Sequence, residues 1–157
     1  MKVNKITELR SYLDWLDKAK YEFELYKNNY GVYELSNCFL TLNALPEWIE
    51  KSDSAPDKLK NIATEKLIIM KGNDNMFQLD ETKLDEIDHQ IRLIRVFCNH
   101  SKHGEKKDKL EEIIMSAIFP MTFPIKFDHL KVGNENVKVE PIIESIISFW
   151  ESAVNHA

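Results

Sequence analysis

Apolar residues recur at three- and four-residue spacing through the first hundred positions, and this period is typical of amphipathic helices that bury one face. The pattern predicts helices over residues 4–28, 32–51, 55–70 and 81 to 100–103. Asn28, Asn29 and Gly31 are expected to end the first helix, and Gly104 the fourth. Pro46 lies inside the second, where its missing backbone donor predicts a kink or a restart.

The third predicted helix has candidate N-caps, since the side chain of Ser54 or Asp53 can accept a hydrogen bond from a backbone N–H of its first turn. Pro56 is a suitable residue for that first turn.

After residue 104 the pattern changes. Residues 110–119 fit either a helix or a buried strand, and residues 125–132 and 137–140 alternate around Gly133-Asn134 as in a β-hairpin. Pro141 opens a last helix. The chain is therefore predicted to be mainly α, a bundle of four or five helices with a small hairpin before the C-terminal helix. We expect one domain over 1–157, with a hairpin-plus-helix extension from about residue 110.

Composition is ordinary for a globular protein, with 43% hydrophobic and 30% charged residues. Cys38 and Cys98 each lie in an apolar stretch, so we interpret them as buried free thiols of a reducing compartment. The N-terminus lacks the apolar segment of a signal peptide, and no run approaches the ~20 apolar residues that span a bilayer. The sequence thus predicts a cytoplasmic protein without membrane contact.

Charge is distributed unevenly along the chain. The net charge is −5, which argues against a broad surface that coats nucleic acid. Residues 92–109, however, hold six basic and two acidic side chains, so this segment carries +4 and the remainder −9. The segment is a candidate anion site; the alternative is that its cations complement the dipole at a helix C-terminus.

The same segment holds most of the candidate chemistry. At about 100° per residue, one arc of a quarter-turn on the fourth helix collects polar side chains. This polar arc comprises Asp88, Arg92, Arg95, Asn99, Lys102 and His103. Arginine holds phosphate at any pH, histidine moves protons near neutrality, and an asparagine can orient the histidine or donate to an oxyanion. These groups are the minimum for cleaving RNA without a metal or cofactor.

Arg95 and His100 are spaced as Arg-x4-His, which resembles the Arg-x4–6-His signature of the HEPN superfamily. The resemblance implies a small helical domain and an endoribonuclease of a toxin–antitoxin, CRISPR or phage-defence system. It also implies that Arg95 and His100 form the nuclease site, usually across a homodimer. On an unbroken helix Arg95 and His100 point about 140° apart, so His103 aligns better with Arg95 within one chain. Both histidines remain candidates.

A second resemblance covers most of residues 35–150. This part of the chain is similar to a group of uncharacterised bacterial proteins that carry an Asn-x-x-Lys-His motif. The resemblance implies the fold and no particular activity. The residues that carry it are Leu42, Leu45, Pro46, Glu47, Trp48, Asn99, Lys102, His103, Phe149 and Trp150.

Two functional hypotheses follow. In the first, the chain binds or cleaves RNA as a homodimer, with an antitoxin-like protein partner. Its catalytic residues are then Arg95, Asn99, His100 and His103, and its phosphate-binding residues Arg92 and Lys102. In the second, the chain is a non-catalytic interaction module, and the polar arc locks the helix end to the C-terminal tail. The first requires the arc to face solvent or a dimer cleft, and the second requires Asn99 and His103 to be buried and hydrogen-bonded to backbone.

Metal binding is a further alternative. Candidate ligands are Cys98 with His100 and His103, or His89 with Asp85. Neither set has a standard zinc spacing, so no metal site is predicted.

Overall fold

The computed structural model describes residues 9–72, 77–103, 113–117 and 124–157, with only the backbone described at positions 100–103. The predicted fold class is confirmed, since five α-helices and a three-stranded antiparallel sheet make up the regular structure of these ranges. In chain order they are α1 (Tyr12–Asn29), α2 (Val32–Glu50), α3 (Asp57–Met70), α4 (Ile87–His103), β1 (Ile113–Ser116), β2 (His129–Val132), β3 (Glu135–Lys138) and α5 (Glu140–Asn155).

Local caps set the start of α1. Ser11 has extended backbone and its Oγ accepts from the Asp14 N–H, while the Asp14 carboxylate accepts from the Ser11 N–H at 3.0 Å. This reciprocal pair is a capping box, which fixes Ser11 as the N-cap and makes Tyr12 the first residue of α1. The predicted start at residue 4 is therefore wrong for residues 9–11, and residues 1–8 lie outside the described residues. At the other end Tyr30, with φ of 51°, takes the left-handed conformation that closes α1.

Three other predicted boundaries change. α2 passes through Pro46 as one helix, so of the predicted kink or restart the restart does not occur; burial of Pro46 together with Leu42 and Leu45 compensates for the missing hydrogen bond. α3 begins after Pro56 with no side-chain cap, which corrects the caps predicted from Ser54 or Asp53. α4 begins at Ile87 rather than at residue 81, because a short 3-10 turn over Glu81–Lys83 precedes it.

The sheet is a meander in the order β1-β2-β3. Residues 113–116 form a strand, which settles one of the alternatives left open for 110–119. β2 and β3 form the predicted hairpin, and Gly133 supplies a positive φ of 58° in its turn. Alternate residues face the core, namely Ile113, Leu130, Val132 and Val137.

The C-terminal helix lies in the main core. The buried residues of α5 include Ile143, Ile146 and Trp150, and they belong to the same hydrophobic cluster as the buried faces of α1 to α4. The segment predicted as an extension thus supplies central packing. None of the described helices combines the length and apolar character needed to cross a membrane.

Candidate functional site

From Gln90 to Asn99, α4 is buried except at positions of the polar arc, and Ile87 and His89 before this stretch are also partly exposed. Arg92, Arg95 and Asn99 are half-buried. The apolar and thiol side chains between them are buried, namely Ile91, Leu93, Ile94, Val96, Phe97 and Cys98. The predicted arc is therefore a stripe of polar groups beside a buried helix surface, as its spacing predicts.

The N-terminal half of the arc is attached to α3. The Asp88 carboxylate pairs with Lys66 Nζ at 2.8 Å, and Lys66 is itself buried. One turn later, Arg92 Nη1 donates to the backbone oxygen of Met70 at 3.0 Å. Because the last carbonyls of a helix have no partner within it, Arg92 satisfies the C-terminal end of α3. Its guanidinium also lies 5.9 Å from the centroid of the Phe77 ring.

Arg95, one turn further along α4, is placed differently. Within the described part of the chain its Nε is buried without a hydrogen-bond acceptor, and its guanidinium forms no ion pair. The pKa of the Glu47 carboxyl on α2 is lowered, chiefly by a hydrogen bond from Lys51, with Lys71 and Arg95 adding positive charge nearby. Arg95 thus adds positive charge near the Glu47 carboxylate of α2, and its Nε–H is a donor that has no acceptor among the described residues.

Comparison with protein-family models, curated proteins and solved structures gives no match to this chain. The resemblance to HEPN proteins therefore depends on the short motifs alone. The HEPN resemblance stays a prediction, and the chemistry of the site is argued from its geometry.

The remaining predicted site residues lie where only backbone is described. α4 continues unbroken through His103, so position 100 lies about 140° from Arg95 around the helix axis and position 103 about 80° from it. The backbone thus keeps position 103, and not position 100, near the face of Arg95 in one chain. The side chains of His100, Lys102 and His103, and the predicted helix end at Gly104, are outside the described residues.

The two cysteines are buried and free, as predicted. Burial raises the pKa of each thiol to about 12, so neither provides a thiolate for catalysis near neutral pH. Within the described ranges, no three His, Cys, Asp or Glu side chains are grouped as metal ligands. His89, once a candidate ligand with Asp85, has its Nε2 engaged, since it accepts from the Asp80 N–H at 3.1 Å.

Sequence reasoning missed the contribution of α2 to this region. A cleft of about 620 Å³ lies between the start of α1 and the end of α2, and Glu47 and Trp48 line it. The Trp48 ring packs on that of Trp15, with centroids 5.0 Å apart. The run of polar residues that follows Trp48 in the sequence could have indicated a site there, but only the tertiary structure places this run beside α1.

His89 gives a stability prediction that depends on pH. Its ring stacks on Phe77 and burial lowers its pKa below the ordinary value of 6.5, so the folded chain binds this proton less readily than the unfolded chain. The neutral His89 side chain therefore makes its full contribution to the free energy of unfolding above about pH 6.5. This contribution is lost as the pH falls from about 6.5 through the lowered pKa of His89. Urea unfolding at about pH 7.5 and about pH 5.5 should show a larger loss of stability in the wild type than in His89→Gln. Equal losses in the two proteins would contradict this origin.

Proposed function

We propose that this chain binds RNA through Arg95 on the polar arc and cleaves it as a HEPN-like, metal-independent endoribonuclease. One observation carries the proposal: Arg95 is half-buried on the polar arc, and its Nε–H has no acceptor within the part of the chain that the structure describes. An unsatisfied charged donor is costly, and a phosphate oxygen accepts from guanidinium strongly. The proposed setting is a cytoplasmic bacterial defence or toxin–antitoxin system, with an antitoxin-like protein as partner.

The proposed reaction uses groups of the arc in separate roles. An imidazole takes the proton of a ribose 2′-hydroxyl, and that oxygen attacks the adjacent phosphorus. The Arg95 guanidinium stabilises the negative charge that develops on the phosphoryl oxygens, and Asn99 orients the imidazole. The bond to the 5′-oxygen then breaks, and that oxygen receives a proton. His103 would form a site with Arg95 of its own chain. His100, on another face of α4, would form a site with Arg95 of a second protomer in a homodimer.

The phosphate-binding residues are proposed to differ in importance. Arg92 already donates one N–H to Met70, so it supplies mainly positive charge. Lys102 would act as a point charge beside the same strand.

A second candidate function is a non-catalytic interaction module. The observation that favours it is the attachment of α4 to α3 through Asp88 and Arg92. In that case the whole arc is structural and Arg95 completes the attachment through a group of a protein partner.

The test is binding and cleavage of a short single-stranded RNA with chelator present. We expect Arg95→Ala to weaken binding about tenfold or more and to end cleavage, because a charged hydrogen bond and its charge are lost. Arg95→Lys should recover part of the binding. His103→Ala and His100→Ala should bind RNA normally, and loss of cleavage in either identifies the base.

The matched control is Lys131→Ala, which removes an exposed cation on β2 away from α4. It should leave binding and cleavage unchanged. Failure of the wild-type chain to bind RNA at low salt would overturn the proposal. Binding of RNA by the wild type without cleavage would exclude the nuclease activity and leave RNA binding as the function of Arg95.

A further inference from the structure

The cleft between α1 and α2 has a lining of mixed chemistry. Its volume is about 620 Å³, within the range of small-molecule sites. Serine hydroxyls contribute to its wall, together with the aromatic and charged side chains of Arg10, Tyr12, Glu47, Trp48, Lys51 and Asp53. Aromatic, cationic, acidic and hydroxyl residues therefore line one open cleft.

The aromatic surface is held in place. Trp48 is half-buried, and its ring lies against that of Trp15 at an interplanar angle of 31°. Trp15 Nε1 is buried, with no hydrogen-bond acceptor in the described part of the chain. A rigid indole supported by a second indole offers a planar ligand a stacking surface at low entropic cost.

The charged groups are exposed and of both signs. Lys51 Nζ pairs with Glu47 Oε1 at 2.9 Å, yet the Lys51 side chain remains 71% exposed, so it can bind a second anion. Asp53 is exposed and makes no ion pair within the described residues. Phosphate suits Arg10 and Lys51, and the hydroxyls of a ribose suit a carboxylate acceptor.

We propose that this cleft binds a nucleotide, with the base on Trp48, the phosphate at Arg10 and Lys51, and the ribose at Asp53. Three kinds of group in the lining match the three parts of that ligand. The nucleotide is either free or one unit of an RNA strand.

Glu47 joins this cleft to the arc, since it lines the cleft and lies near the positive charges of Arg95 and Lys71. A strand with its phosphate at Arg95 would then have another nucleotide within reach of Trp48. In this RNA form the inference rests on the proposed function, and in the free-nucleotide form it does not.

The experiment uses the indole N–H signals of the three tryptophans in a heteronuclear NMR spectrum of the full chain. Trp48→Phe and Trp15→Phe assign the signals. Titration with AMP should shift the signals of Trp48 and Trp15 and leave that of Trp150, which is buried in the core. Lys51→Ala, at an exposed position that should not disturb folding, is expected to weaken AMP binding about threefold to tenfold. Lys131→Ala is the control and should bind AMP as the wild type does.

A short RNA provides the second arm. Arg95→Ala should lose RNA affinity but keep AMP affinity, so that failure of the proposed function is distinguished from failure of the cleft. A Trp48 shift with RNA and none with AMP would support the cleft as a site for an RNA unit. Absence of any Trp48 shift with both ligands would overturn the inference, and so would an equal shift of Trp150.

Discussion

Replacement of Trp150 by alanine is expected to lower the free energy of unfolding by about 3–5 kcal/mol, a large share of the stability of a domain of this size. Trp150 is only 1% exposed and lies in α5, whose buried face packs into the main hydrophobic cluster. Its ring also makes an edge contact with Phe149, at 5.0 Å between centroids. Truncation leaves a cavity that neighbouring helices cannot fill without leaving their own contacts.

Urea unfolding followed by circular dichroism measures this effect without relying on tryptophan fluorescence. The matched control is Tyr33→Ala, another aromatic truncation, at a position that is 83% exposed on α2. It should change stability by about 0.5 kcal/mol or less. A cost for Trp150→Ala as small as that of the control would show that α5 does not complete the core.

The periodicity of apolar residues predicted which segments form helices, but it placed the ends of several of them incorrectly. The three-and-four spacing reports which face is buried, and burial decides that a helix exists. The ends depend on single contacts, such as the capping box of Ser11 and the 3-10 turn capped by Asp80. Pro46 shows the converse, because packing on both sides carries α2 through a residue that usually ends a helix.

The polar arc was predictable because its residues share one helix. The spacing places Arg92, Arg95 and Asn99 on one face, and α4 is half-buried at these positions. The groups that the arc meets belong to other elements: the Met70 carbonyl ends α3, and Glu47 lies on α2. No local pattern encodes these contacts. The sequence therefore could not distinguish Arg92, which caps the end of α3, from Arg95, whose Nε–H has no acceptor among the described residues.

The cleft was missed for the same reason. Its lining comes from the start of α1 and the end of α2, which lie almost forty positions apart in sequence and meet only when the two helices pack. Charged and hydroxyl residues at helix ends are common, and they become a candidate site only when an aromatic surface such as Trp48 faces the same space.

Asp88→Ala is expected to cost about 1–3 kcal/mol of stability. Lys66 is the reason: its side chain is only 10% exposed, and Asp88 is the carboxylate that pairs with its ammonium. Without Asp88 the ammonium keeps, among its contacts with described residues, the face of the Phe149 ring 5.3 Å away. Removing one member of a mostly buried pair leaves a charge that the protein solvates poorly. Asp88 is itself 50% exposed, which reduces the effect below that of a fully buried pair.

A double-mutant cycle isolates this contribution. Lys66→Met should recover most of the stability that Asp88→Ala loses, because an apolar side chain of similar length needs no counter-charge. Asp85→Ala removes an exposed acidic residue just before α4 and should have little effect. A cost for Asp88→Ala that persists in the Lys66→Met background would contradict the explanation. The Asp88→Ala/Lys66→Met double variant should also bind RNA as the wild type does, because the proposed RNA contact at Arg95 is unchanged and Arg92 still attaches α4 to the end of α3.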